Sequence, residues 1–312
     1  MLAEYASLVV VLLLLVGGFA AATEHFFTLT TLRTVANQVP DIVLVATGMT
    51  FVIIAGGIDL SVGSILALSG AVLGVALTDW HLPLGAALAA TLAAGAACGA
   101  VNGLLVTTWA LPSFIVTLGM LEVARGGAYL VTGSQTKYIG AAVEVVNTPL
   151  AGGVTIPFVV AAAVVITAQF VLTRTVLGRS LIAVGANPQA AWLSGIDPRP
   201  IRFLTFLLAG LASAMAAIAQ SARLAAADPN AGAGLELQAI AAVVIGGTSL
   251  MGGRGSVVTT TLGVLIIAVL GAGLAQMGVQ EPTRRLVTGA VIVAAAIADY
   301  YRTRRNDVGG IR

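Results

Sequence analysis

The chain has 312 residues, 58% of them hydrophobic and 9% charged, with a formal net charge of +2 and a mean hydropathy of +1.02. Soluble domains carry roughly 25% charged residues, so this composition excludes a water-soluble fold and leaves lipid as the main solvent. Unbroken apolar runs at 9–22 and 158–172 exclude a barrel, whose strands alternate apolar and polar over about ten residues, and leave helices of about 20 residues each.

Hydropathy and helix breakers predict ten spans, at about residues 6–22, 39–55, 61–77, 83–107, 112–132, 154–173, 202–222, 236–250, 256–277 and 283–301. The expectation is an all-α polytopic membrane protein with one transmembrane domain over residues 1–312. Its longest polar connection, about 174–201, is loop-sized. The first run imitates a secretory signal, but no Lys or Arg precedes it and Glu4 does, so it reads as a retained first span. The third and eighth spans are short and glycine-interrupted, hence broken or re-entrant. The 37 glycines and the Ala-rich stretch at 86–100 suit close helix packing, which small residues permit.

Ten spans put both termini on one side. With them lie Arg174, Arg179, Arg199, Arg202, Arg254, Arg302, Arg304, Arg305 and Arg312, against Arg33, Lys137, Arg223, Arg284 and Arg285 opposite. Nine against five favours cytoplasmic termini by the positive-inside rule.

Several chemistries are missing. Lys137 is the only lysine and sits in Gln135-Thr136-Lys137-Tyr138, not in the Gly-Lys-Ser/Thr setting of a phosphate loop. His25 and His81 are isolated and Cys98 is the only cysteine, which leaves no metal-ligand spacing and no internal disulfide. No nucleophile elbow occurs. Uphill movement of a solute therefore needs energy from another polypeptide.

The most informative stretch runs from Val52 to Ser64 and contains Gly57-Ile58-Asp59-Leu60-Ser61-Val62-Gly63. A carboxylate between two apolar spans is costly, so Asp59 either contacts substrate in a cavity or belongs to a capped turn. Asp59 and Ser61 are good N-caps for a helix starting near Val62. Glu122 and Arg125, three apart, read either as a neutralising pair or as polar contacts lining a path, with Asn102 and Gln220 as further intramembrane polar groups. Between Leu177 and Asp197 a short amphipathic helix is expected, capped by Asn187, started by Pro188 and ended by Gly195. Such a helix either docks into a partner's groove or lies on the headgroups, and Trp192 suits both. Arg223, Asp228 and Glu236 form an external mix of charges that suits either docking of a soluble partner or plain solvation. The two glycine-paired turns, Gly56-Gly57-Ile58-Asp59-Leu60 and Gly246-Gly247-Thr248-Ser249-Leu250, follow spans of the same direction and so do not make a simple inverted repeat.

Together these stretches, with Gly48-Met49-Thr50, Pro112-Ser113-Phe114-Ile115-Val116-Thr117-Leu118-Gly119, Leu177-Gly178-Arg179, the run from Gly234 to Leu250 and Gly252-Gly253, resemble the ribose/xylose/galactose permease family of bacterial ABC importers. The likeness covers about residues 26–300. It implies a type II importer fold of about ten helices in the bacterial inner membrane, carrying a ribose- or xylose-like monosaccharide into the cytoplasm. It also implies a second permease copy or sister permease, an ABC ATPase subunit that binds ATP and Mg, and a periplasmic sugar-binding protein. No cofactor is expected on this chain, and no nucleic-acid partner. The family's coupling segment matches Asn187, Pro188, Gln189, Ala190, Ala191, Leu193 and Gly195, with Asp197 just beyond. Family members often carry a longer cytoplasmic leader than the few residues before the first span here. Rival readings are a branched-chain amino-acid or nucleoside ABC permease, and an ion-coupled secondary transporter with Asp59 and Glu122 as its candidate ion sites.

Overall fold

The computed structural model describes residues 2–24, 26–150, 152–291, 293, 294 and 297, with side chains described from residue 5 onward. His25, Arg302, Arg304, Arg305 and Arg312, the Glu4 side chain and the end of the tenth predicted span lie outside this set.

Helices α1 (Leu2–Ala22), α2 (Leu29–Gln38), α3 (Pro40–Ile54), α4 (Val62–Thr78), α5 (Leu84–Thr108) and α6 (Ser113–Thr132) come first. A connection follows with strand β1 (Lys137–Tyr138), a 3-10 turn (Gly140–Val143) and α7 (Glu144–Asn147). Next are α8 (Ile156–Arg174), α9 (Val176–Ala186), α10 (Pro188–Leu193) and α11 (Pro198–Leu224). Strand β2 (Ala226–Ala227), α12 (Leu235–Ile245), α13 (Val257–Gln276) and α14, over 281–291, follow among the described residues. β1 and β2 pair antiparallel.

Each predicted span holds a helix, but length separates them. Among the described residues six helices are long and apolar enough to cross a bilayer: α1, α5, α6, α8, α11 and α13. The pair α2 and α3, bent by 46°, makes a seventh. The third and eighth predicted spans are α4, of 17 residues, and α12, of 11, so length alone does not carry the expected ten. Hydropathy missed α2, whose Thr, Arg, Asn and Gln dilute its apolar face.

α3 is buried at all 15 of its positions and forms the centre of the bundle. Its hydroxyls do not disturb it, because Thr47 and Thr50 donate back to the Val43 and Ala46 carbonyls within the helix. Around it, α5 and α11 pack through glycine, as the small-residue composition suggested. A Cβ on Gly95 would lie 2.5 Å from the Gly210 carbonyl oxygen, and one on Gly103 would lie 2.9 Å from that of Phe203. Dispersion across such close backbones replaces a hydrophobic force that lipid cannot supply.

Contacts define two ends. At one, Tyr5 Oη meets Ser256 Oγ at 3.1 Å, and the Gly253 N–H donates to the Ile54 carbonyl at 2.9 Å. At the other, Arg223 pairs with Asp41 at 2.6 Å, Lys137 with Asp79 at 2.7 Å, and Arg33 Nε donates to the Gly152 carbonyl at 3.0 Å.

The segment from 225 to 234 explains why α12 is short. Ala227 packs on Gly74 of α4, whereas Gly232 packs on Gly63 of the same helix. Eleven residues at 1.5 Å each separate those two levels, so this non-helical chain descends about 16 Å into the bundle before α12 begins. Irregular backbone survives at such depth only when protein satisfies it.

Candidate functional site

The descending segment is satisfied by α6. Arg125 Nη1 donates to the carbonyls of Pro229 and Ala231 at 2.7 and 2.8 Å, and Tyr129 Oη donates to Asn230 Oδ1 at 2.6 Å. The expected Glu122–Arg125 pair does not form, because carbonyls held at depth compete for the guanidinium. Glu122 points outward from the middle of α6, exposed and without a hydrogen bond or ion pair among the described residues. Glu236, in the first turn of α12, sits beside Gly63 at the bottom of the descent.

That depth separates Glu236 from Arg223 and Asp228, which remain near the end of the bundle. Arg223 is committed to Asp41, tying α11 to α3. Asp228 Oδ1 accepts from the Asn230 N–H and Nδ2, shaping the entry of the segment. The three do not form one external charged surface.

The α3–α4 turn is clamped from two sides. Ser113 Oγ accepts the Ile58 N–H at 3.0 Å, and Thr117 Oγ1 accepts the Leu60 N–H at 3.1 Å while donating to the Ile58 carbonyl. Asp59, fully buried, accepts the Ser61 N–H at 2.9 Å and the Ser61 hydroxyl at 2.5 Å through Oδ1. Asn102 Nδ2 of α5 donates to Ser61 Oγ at 2.9 Å. Ser61 therefore occupies the N-cap position of α4 without capping by its side chain; its hydroxyl is taken by Asp59, which forms a local turn instead. Asp59 Oδ2 and Asn102 Oδ1 are buried and accept nothing from the described residues. Gln220 is apart from this cluster, one turn before the far end of α11.

Ser113 and Thr117 had no assigned role in the sequence, although both lie in the Pro112–Gly119 stretch already singled out. Their hydroxyls matter because the turn they grip has no ladder of its own.

At the first end, three backbones meet through glycine. A Cβ on Gly185 of α9 would fall on the Ile54 carbonyl oxygen and lie 2.7 Å from the Gly253 nitrogen. One on Gly252 would lie 2.7 Å from the Gly185 carbonyl oxygen and 3.2 Å from Gly56 Cα. The two glycine-rich turns noted in the sequence are thus parts of one contact, with α9 between them.

From this junction α10 projects. Asn187 Oδ1 accepts the N–H groups of Gln189 and Ala190 at 3.0 Å, Pro188 opens the helix, and Gly195 turns away at φ +84°. Asp197 caps α11 through the Arg199 N–H. Ala191 packs inward, whereas Trp192 and Leu193 are 57% and 82% exposed.

A model of the family described as branched-chain amino acid transport system / permease component matches residues 31–296. The chain is 39% identical over 282 residues to the ribose import permease protein RbsC of Escherichia coli (strain K12), covering 88% of this chain and 87% of that one. It is 36% identical over 278 residues to the D-allose transport system permease protein AlsC of the same strain, covering 88% and 85%. With the fructose import permease protein FrcC of Rhizobium meliloti it shares 34% identity over 289 residues, covering 88% and 79%. No solved structure matches the chain.

Proposed function

The chain belongs to the family of branched-chain amino acid transport system permease components, and from that premise we propose that it is the membrane-spanning subunit of an ATP-driven ABC importer for a ribose-like monosaccharide. The family description names amino acids, but relatives matching 88% of the chain are named for ribose, allose and fructose, and the substrate follows them.

In this reading the polypeptide crosses the inner membrane ten times, with the short α4 and α12 counted as crossings and both termini in the cytoplasm. Charge supports the orientation. The junction end carries Arg174, Arg179, Arg199, Arg202 and Arg254, with Asp197 and the buried Asp59 as carboxylates among the described side chains there, a cationic excess of the kind that the positive-inside rule requires. Cytoplasmic placement puts α10 where an ABC ATPase subunit, holding ATP and Mg, would meet it. The observation that carries this role is the exposure of Trp192 and Leu193 on a rigid, capped helix, an apolar edge suited to a partner's groove.

Movement of α10 is transmitted because α9 is locked at Gly185 to the end of α3 and to the turn before α13. Closure of the ATPases would shift these ends together and alternate the access of a path between two permease subunits, this chain with a second copy or a sister permease. An unpaired carboxylate facing hydrocarbon at mid-span costs about 3 kcal/mol, so Glu122 turns toward that path, with Glu236 at similar depth beside the descending segment. A periplasmic sugar-binding protein would deliver substrate at the opposite end, near Asp228.

The test is uptake of labelled ribose, xylose, allose, fructose and leucine into vesicles bearing this chain with its neighbouring ATPase and binding protein. ATP-dependent entry of one sugar is expected. Entry of leucine alone would return the chain to the amino-acid branch. Uptake by the single chain without ATP would overturn the importer reading in favour of an ion-coupled carrier.

A further inference from the structure

A cavity of about 390 Å³ opens at the junction end between the α3–α4 turn, the α5–α6 connection and the start of α11. Its lining includes Arg199 and Arg202, three apart on one face of α11, with Ser113 and Gly56, and no Asp or Glu. Neither guanidinium has a hydrogen bond or ion pair among the described residues. Arg202 Nε is buried without a partner, and its guanidinium packs 3.8 Å from where a Cβ on Gly56 would stand. Ser113 Oγ accepts the Ile58 N–H, which leaves its own O–H to donate. The cavity therefore offers two guanidinium cations and a hydroxyl donor with no acceptor charge to match, the complement of a phosphate.

The rim identifies the kind of phosphate. Leu111 lines the cavity and is exposed, and Trp109 and Phe114 beside it are 67% and 52% exposed. A large indole at this level suits the membrane interface, and an apolar flank beside a cationic pocket fits an amphiphile. Basic pockets between spanning helices on the cytoplasmic side hold anionic headgroups. We propose that this cavity binds the headgroup phosphate of an anionic phospholipid of the cytoplasmic leaflet, gripped by Arg199, Arg202 and Ser113. The assignment rests on the orientation given above. Because the headgroup would lie on the Gly56 turn, whose neighbours are Gly252 and Gly185, occupancy stiffens the junction through which α10 acts.

The experiment is retention of phosphatidylglycerol against phosphatidylcholine by the purified, delipidated full chain, read by native mass spectrometry. Selective retention of phosphatidylglycerol is expected. Each arginine near the surface contributes a factor of about five, so Arg199→Gln weakens retention about five-fold and the double variant with Arg202→Gln about thirty-fold. Arg199 is exposed, so its single variant keeps the fold even where the double variant does not. Retention by Arg199→Gln equal to the parent chain overturns the proposal. Thermal stabilisation by inorganic phosphate that matches phosphatidylglycerol overturns the lipid in favour of a free anion. Normal lipid retention with lost ATPase association assigns the arginines to the partner and likewise overturns it. Retention is read on the chain alone, without ATP or sugar, so its failure is distinct from failure of the importer reading.

Discussion

The Ile54 carbonyl oxygen accepts the N–H of Gly253 at 2.9 Å, with Gly185 pressed against both. Three elements distant in sequence are thereby held at backbone contact, with no side chain between them. Gly185→Ala drives a methyl into that hydrogen bond. The expected result is destabilisation of about 1–3 kcal/mol or more from overpacking, read as a lowered Tm in detergent. Gly18→Ala, with nothing within 4 Å of its Cβ, serves as the control and leaves Tm unchanged or slightly raised. An unshifted Tm for Gly185→Ala would show that the junction yields easily and transmits nothing.

Arg125 is the donor on which the descending segment depends. Arg125→Ala leaves the Pro229 and Ala231 carbonyls without their donor, at about 1–3 kcal/mol for each buried group left unsatisfied. Protease sensitivity at 225–234 should rise and uptake should fall. Glu122→Ala should leave Tm unchanged, since Glu122 has no partner among the described residues, while reducing uptake through its place on the path. If the two variants lower Tm equally, the assignment of Arg125 to the segment is wrong.

These positions also mark what the sequence could show. Long apolar runs such as α8 and α13 were legible, because hydropathy alone decides them. The 225–234 descent was not, since Ala, Asp, Pro, Asn and Gly at those positions describe a surface loop equally well. The three-residue spacing of Glu122 and Arg125 pointed to a pair, because spacing reports neighbours on one helix and says nothing of carbonyls arriving from elsewhere. The cap at Asn187 and the stop at Gly195 were legible for the opposite reason: both act within their own helix. The short, glycine-interrupted eighth span was legible, but the level of its start was not: Glu236 reads as external when 225–234 is a surface loop, whereas the descent sets it beside Gly63.

At the far end, the Lys137 ammonium and then the Thr78 hydroxyl hold the Asp79 carboxyl below the usual carboxylate range. A carboxylate whose folded pKa is depressed adds stability above its unfolded pKa, about 3.9, and loses it as pH falls through the folded value. The pair is partly exposed, so the effect is small. Asp79→Asn should lower Tm slightly at pH 7, and the difference should close as the medium is taken below pH 4. A gap that persists unchanged into acid would mean that the pair does not support the fold.

Leu193 tests the coupling role without touching the core. At 82% exposure, Leu193→Asp should leave Tm and membrane assembly intact. Co-purification with the ATPase subunit and ATP-dependent uptake should both drop at least about ten-fold, as for loss of a well-placed interface anchor. Gly195→Asp acts differently, because its φ of +84° adds backbone strain, so it should lower Tm as well. Full association by Leu193→Asp would place the ATPase contact elsewhere.

Asp59 separates the importer from its ion-coupled rival. No Lys, Arg or His side chain stands within 4 Å of its carboxylate among the described residues, and its bonds run to Ser61 through Oδ1 alone. Asn at this position keeps the shape and the Oδ1 acceptor for the Ser61 N–H and hydroxyl. Asp59→Leu removes the acceptor and leaves the Ser61 N–H and hydroxyl unsatisfied in a dry interior, at about 1–3 kcal/mol each. Asp59→Asn should therefore fold, assemble and transport near the parent rate, whereas Asp59→Leu should fail to accumulate in the membrane. A carrier that binds its driving ion at Asp59 requires the titrating carboxyl itself, so it would lose transport on Asp59→Asn while keeping its fold. Uptake by that single variant, measured with ATP and binding protein present, decides between a turn that shapes the permease and a site that powers it.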